Sequence, residues 1–149
     1  TDYAATAHCS RSKQNMPQEF PDATKANKKV PILPTYRYPD LSAVCGKAQF
    51  IEVSGLQCLV NPGLIVEVLS DSTEKYDRGD KFREYKSIES FREYLLISST
   101  GKNITHYLKH NDRFWLQSDY ISGESLHITT LDFDLNVDDL YEGVEFQIS

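Results

Sequence analysis

The chain is poor in the residues that mark secreted, zinc-bound or membrane-spanning proteins. Its 149 residues include three cysteines, Cys9, Cys45 and Cys58, an odd number with no CxxC spacing. That argues against a disulfide framework or a zinc knuckle and makes a reducing cytoplasm the default. His8, His106, His110 and His127 form no HxH or HExxH pattern, which argues against a histidine metal centre. His106 and His127 fall on predicted strands, where a satisfied or solvent-facing imidazole is the ordinary case. No window approaches the roughly 18 consecutive apolar residues of a membrane span, so no membrane partner is expected. Residues 1–30 lack the pattern of a signal peptide, and no repeat or low-complexity tract is visible.

Excess positive charge is also missing. Sixteen Lys+Arg against twenty-two Asp+Glu give a net charge of −6, the wrong sign for a protein that coats nucleic acid non-specifically. The distribution is uneven, however. Arg11, Lys13, Lys25, Lys28, Lys29 and Arg37 make the N-terminal third basic, while Asp132, Asp134, Asp138, Asp139, Glu142 and Glu145 collect near the end.

What is present fits one domain with one hydrophobic core. Residues 1–37 are polar and interrupted by Pro17, Pro21, Pro31 and Pro34, which predicts loop or edge-strand material. The start at Thr1 is read as absence of native N-terminal sequence, and residues 38–149 are taken as the domain proper. Leu41–Cys45 and Phe50–Val53 are short strand candidates placed beside a central strand, Leu64–Leu69. That central run lies between Pro62-Gly63 and Ser70-Asp71-Ser72 and is apolar on both faces except at Glu67. Such a strand is covered on both sides, as in an α/β or α+β fold. Asp71-Ser72-Thr73-Glu74 reads as a cap for a helix over 72–88, with Gly79 its weak point. Tyr94–Ile97, Asn103–Leu108 and Arg113–Leu116 then predict an antiparallel meander, followed by a strand near Leu126–Ile128 and a helix over 137–142.

Glu67 is the anomalous residue. An ionised carboxylate in an apolar strand needs a cation, a metal or dense hydrogen bonding, or it neutralises; a structural ion pair or a place at the sheet margin is the plain alternative. Two partners are candidates: Asp40, in the Tyr38-Pro39-Asp40 turn, and Lys81. At ~100° per residue Lys81 falls on the apolar arc of Phe82, Tyr85 and Ile88. It could equally snorkel to water or pair with Asp77 one turn earlier. Two acids and a lysine suit phosphodiester hydrolysis, in which a hard divalent ion neutralises phosphate and lowers the pKa of water while a lysine assists. Asp40 and Glu67 would be the metal ligands, and Asp40, Glu67 and Lys81 the catalytic set, with Asp77 and Tyr85 in support. Phe114 and Trp115 invite a base-stacking reading, but core packing is the ordinary role of strand aromatics.

Taken together, Tyr38-Pro39-Asp40, Ile65-Val66-Glu67-Val68-Leu69-Ser70, Ser72-Thr73, Asp77, Lys81, Tyr85, Arg92-Glu93-Tyr94, Phe114-Trp115 and Leu140-Tyr141-Glu142-Gly143-Val144 form a pattern. It resembles the Uma-type family of putative restriction endonucleases, within the PD-(D/E)XK nuclease-like superfamily. The resemblance covers about residues 36–146. It implies a restriction-endonuclease-like mixed sheet flanked by helices, dependence on Mg²⁺ (or Mn²⁺) and a DNA substrate. The usual motif places its lysine two residues after the second acid, where Leu69 stands here; the family pattern relocates the lysine to the following helix, at Lys81. Pro62-Gly63 replaces a common Pro-Asp pair, and the family's N-terminal helices are not visible before Pro31, with Glu19 or Asp22 as substitute acids. A focused positive cleft in so acidic a chain would fit a homodimer. A catalytically inactive nuclease-fold binding or assembly module is the alternative from another class, and a hydrolase of RNA or another phosphodiester a third.

Overall fold

The computed structural model describes residues 18–19, 36–53 and 55–147; His8, Cys9 and Asp22 lie outside them. Glu19 falls in β1 (Gln18–Glu19), which pairs antiparallel with β2 (Tyr36–Arg37).

Five strands build the main sheet: β3 (Leu41–Ala43), β6 (Leu64–Leu69), β7 (Glu93–Ser98), β8 (Asn103–Lys109) and β9 (Trp115–Ile121), adjacent in that order. β6 and β7 run parallel and the other neighbours antiparallel. The parallel pair needs a crossover, and the only segment between them is helical. Two hairpins complete the strands: β4 (Phe50–Val53) with β5 (Leu56–Leu59), and β10 (Ser125–Ile128) with β11 (Phe133–Asn136). The fold is thus mixed α+β with a central mixed sheet and an antiparallel C-terminal meander, as expected.

Alternation along β6 divides the core in two. Leu64 and Val66 join Ala43, Leu95, Ile104, Leu126, Ile128, Val137 and Tyr141 on one face. Ile65 and Leu69 join Phe82, Tyr85, Ile88, Phe91, Tyr94 and Leu96 on the other. The second cluster is dominated by aromatic rings, among them Phe82 stacked on Tyr94 at 5.0 Å. Trp115 packs into it, 5.0 Å from Phe91, while Phe114 is exposed. Core packing therefore accounts for the tryptophan but not for its neighbour.

Several local expectations are corrected. Phe50–Val53 does not neighbour the central strand; it folds back on β5, which the sequence reading did not mark. The third meander strand is shifted to Trp115–Ile121, because Asn111 Oδ1 accepts from the amides of Arg113 and Phe114 and holds those residues in the turn. β11 was also unmarked. The crossover helix begins at Glu74 rather than Ser72. Its first turn is closed by the Ser70 carbonyl, which accepts from Thr73 and Glu74, and not by an Asp71 cap. It comprises α1 (Glu74–Tyr76), a π-helical turn over Asp77–Lys81 and α2 (Phe82–Tyr85). Gly79, the poorest helix former of the segment, sits inside that widened turn. After Tyr85 the chain tightens into turns that still deliver Ile88 and Phe91 to the core. The final helix is α3 (Val137–Leu140), capped by the Asn136 side chain. No helix among the described residues is long and apolar enough to cross a membrane.

Candidate active site

Glu67 lies on the same β6 face as Ile65 and Leu69, beneath the crossover helix, and is only 2% exposed. Its Oε1 accepts two hydrogen bonds, from Tyr85 Oη and Lys81 Nζ, each at 2.7 Å. Oε2 faces β3, where the Asp40 amide donates to it at 3.3 Å. Asp40 sits in the turn entering β3 and is held by the Val68 amide, which donates to Oδ2 at 2.7 Å. The antiparallel register of β3 on β6, with Leu41 opposite Val66, brings the two carboxyl groups to one sheet edge. Sequence separation of 27 residues is closed by a single ladder.

Lys81 is tied a second time, to buried Asp77 Oδ1 at 3.2 Å. Tyr94 Oη in turn donates to the Asp77 carbonyl at 3.0 Å. All five residues selected from the sequence, Asp40, Glu67, Asp77, Lys81 and Tyr85, therefore meet in one cluster. The i,i+4 pair of Asp77 and Lys81 forms, and Lys81 does not snorkel away from Glu67.

Burial raises the pKa of Glu67 above the ordinary glutamate range, opposed by the hydrogen bonds from Lys81 and Tyr85. For Lys81 burial acts to lower the pKa, but the contact with Glu67 and the charge of Asp77 outweigh it and raise the net value. The ammonium is thus held charged, which is the state that keeps Glu67 ionisable. The Tyr85 phenol is pushed far above its usual range by burial and then by the charge of Glu67. It is a permanent donor to the carboxylate and cannot serve as a base.

Asp40, in the turn entering β3, and Glu67, on β6, offer a pair of hard oxygen donors. Among the described residues no group of three or more His, Cys, Asp or Glu is placed to hold an ion. The chemistry of the two carboxylates suits Mg²⁺, which keeps several waters and uses one or two carboxylates.

Two polar arrangements escaped the sequence reading. Glu93, fully buried at the start of β7, receives His106 Nε2 at 2.7 Å and the amides of Thr129 and Thr130 at 2.9 and 2.7 Å. It faces the opposite side of the sheet from Glu67, and the signal that singled out Glu67, an acid against an apolar run, was present there too. Arg37 forms a two-pronged ion pair with Glu84, Nη2 to Oε1 at 2.6 Å, linking β2 to α2. Gly63 stands where an added Cβ would meet Thr130 Cγ2 at 3.0 Å, so an acidic side chain there would require the Thr130 side chain to give way.

Residues 7–138 match the Uma2 family, whose description is "Putative restriction endonuclease". The chain belongs to that family. Two uncharacterized proteins of Synechocystis sp. are among its relatives, 38% identical over 120 residues and 37% identical over 94. The matches cover 79% and 63% of this chain but 62% and 52% of those proteins, so the chain spans little more than half the length of these relatives. A putative nuclease of DUF820 from Anabaena variabilis, known from a crystal structure, aligns with a TM-score of 0.56 at 15% identity. That alignment covers 72% of this chain and 60% of the other. It establishes a nuclease-like fold for this Uma2 member.

Proposed function

We propose that this Uma2 chain is a metal-dependent nuclease that hydrolyses DNA phosphodiester bonds at the Asp40–Glu67–Lys81 cluster. The observation that carries the reading is Glu67 itself, a buried carboxylate with one oxygen saturated by Lys81 and Tyr85 and the other turned toward Asp40. A purely structural ion pair has no need of the second acid at that edge. Asp40 and Glu67 would hold Mg²⁺ or Mn²⁺. When bound, such an ion neutralises phosphate charge and lowers the pKa of water.

The chain's own residues do the remaining work. Tyr85 fixes the Glu67 carboxylate by donating to Oε1, leaving Oε2 directed at the site. The Val68 amide fixes Asp40 in the same way. Asp77 positions Lys81, whose charged amine orients the attacking water and offsets negative charge as the phosphate becomes five-coordinate. The family match and the nuclease-like fold support the reaction class; the substrate, the metal and the roles of these residues are the proposal.

The test is cleavage of supercoiled plasmid with Mg²⁺ or Mn²⁺ by the wild type, Glu67→Ala and Lys81→Ala. Both variants are expected to lose roughly 100-fold or more in rate while keeping the wild-type circular dichroism spectrum. Unchanged cleavage in either would refute the assignment.

The net charge of −6 favours a second reading, a catalytically inactive module that binds or assembles through the nuclease fold. Calorimetric titration with Mg²⁺ or Mn²⁺ separates the two, because the inactive module gives no heat above background. A homodimer that gathers positive potential into one cleft would reconcile acidity with DNA binding; sedimentation in the presence and absence of duplex measures it.

A further inference from the structure

The register of the sheet places Glu67 in one cross-strand row with three other residues. Glu67 stands beside Leu96, Leu96 beside Thr105 and Thr105 beside Asp119. At Thr105 the crossover helix supplies a second cation. Arg78 Nη1 donates to Thr105 Oγ1 at 3.1 Å, and the hydroxyl, donating at 2.6 Å to Asp119 Oδ1, presents its lone pair to the guanidinium. Arg78 Nε is paired with Glu74 Oε1 at 2.9 Å, and Tyr107 lies beside it.

Exposure distinguishes the two cations. The Lys81 side chain is 12% exposed and locked between Glu67 and Asp77, whereas Arg78 is 33% exposed and its partner Glu74 49%. An exposed i,i+4 ion pair is worth well under 1 kcal/mol, so an incoming phosphate competes readily for the guanidinium fork, which matches phosphate oxygens two at a time. Thr105 keeps the fork over the sheet during the exchange.

Spacing agrees with a nucleic-acid strand as the ligand. Two inter-strand steps of about 4.8 Å put Thr105 about 10 Å from Glu67. One strand of a duplex carries a phosphate about every 3.4 Å along its axis. Because the backbone winds about the axis, neighbouring phosphates lie farther apart than that rise, and a DNA strand whose reacting phosphate lies at Glu67 and Lys81 and which runs across the sheet brings another phosphate, one or two nucleotides away, to Arg78.

We propose that Arg78 is a substrate-binding residue that grips a backbone phosphate one or two nucleotides from the reacting one, held in place by Thr105 and released to it by Glu74. The inference rests on the reading of the Glu67 cluster as a DNA nuclease site. Its test is binding of a labelled duplex oligonucleotide by the full chain, with Ca²⁺ in place of Mg²⁺, across about 50 to 200 mM salt. Arg78→Met is expected to weaken binding several-fold and to reduce the slope of log affinity against log salt by about 0.9, the share of one phosphate contact. Arg78→Lys keeps the charge and should keep most of the slope, while Glu74→Gln should tighten binding. In Mg²⁺ cleavage assays the loss in Arg78→Met should fall on KM, in contrast to the kcat loss of Lys81→Ala.

A wild-type slope in Arg78→Met, or weakened binding with no change of slope and no tightening in Glu74→Gln, overturns the proposal in favour of a structural role. If the wild type neither binds nor cleaves DNA, the nuclease reading has failed and the proposal falls with it; behaviour of the wild type tells the two failures apart.

Discussion

Two buried glutamates on neighbouring strands of this protein respond to acid in opposite directions. Glu67 has a raised pKa because burial outweighs its donors. Its contribution to stability is therefore largest below the ordinary value of 4.5 and is lost as pH rises through the elevated one. Metal binding at the proposed site would have the reverse dependence, since a proton on Glu67 competes with the ion. Removing one of its donors sharpens this: Tyr85→Phe is expected to move the pH midpoint of metal-dependent cleavage upward, as read from a pH–rate profile in Mg²⁺. Burial opposes ionisation of Glu93 as well, but His106 and the Thr130 and Thr129 contacts outweigh it and lower its pKa. Its stabilisation is present above 4.5 and disappears as pH falls through the depressed value. Glu93→Gln should therefore destabilise the fold at pH 7 by about 2 kcal/mol, the usual loss of charge-assisted hydrogen bonds, and by much less at acid pH, in urea titrations at the two pH values. The logic that found Glu67 in the sequence applied equally to Glu93, but its partners at 106, 129 and 130 come from strand pairing and a distant turn that no local pattern announces.

At the scale of elements, the crossover helix decides the site. Its π-helical turn places Asp77 and Lys81 together on the buried side and leaves Arg78 at the edge of the same face. Gly79 does not owe its place to steric need, because an added Cβ would meet nothing within 4 Å and its φ is not positive. Gly79→Ala is accordingly expected to stabilise the protein by about 0.5–1 kcal/mol through reduced backbone freedom, seen as a higher denaturation midpoint with cleavage retained. β6 and the meander were legible because their alternation and turn residues are local. The β4–β5 hairpin and β11 were less so. Phe50, Ile51, Leu56 and Phe133 are exposed, so β4, β5 and β11 lack the one-sided burial that a period of two records, whereas β10 has it, with Leu126 and Ile128 buried between exposed neighbours.

For the whole molecule, the matter to be reconciled is a net charge of −6 in a family whose description is "Putative restriction endonuclease". Metal binding offers a direct readout: Mg²⁺ in excess should raise the melting temperature of the wild type by mass action, and Glu67→Gln should abolish that shift. The one-dimensional order of residues determined the anomalous acid of β6, the inward phase of Lys81 and the family pattern, because each depends on near neighbours and periodicity. Whether Asp40 could reach Glu67 was decided by tertiary structure, through the β3–β6 register. So were the two donors on one oxygen of Glu67 and the row that carries Arg78 to Thr105. Those contacts depend on which strands lie side by side, and strand adjacency is a property of the packed sheet rather than of any segment within it.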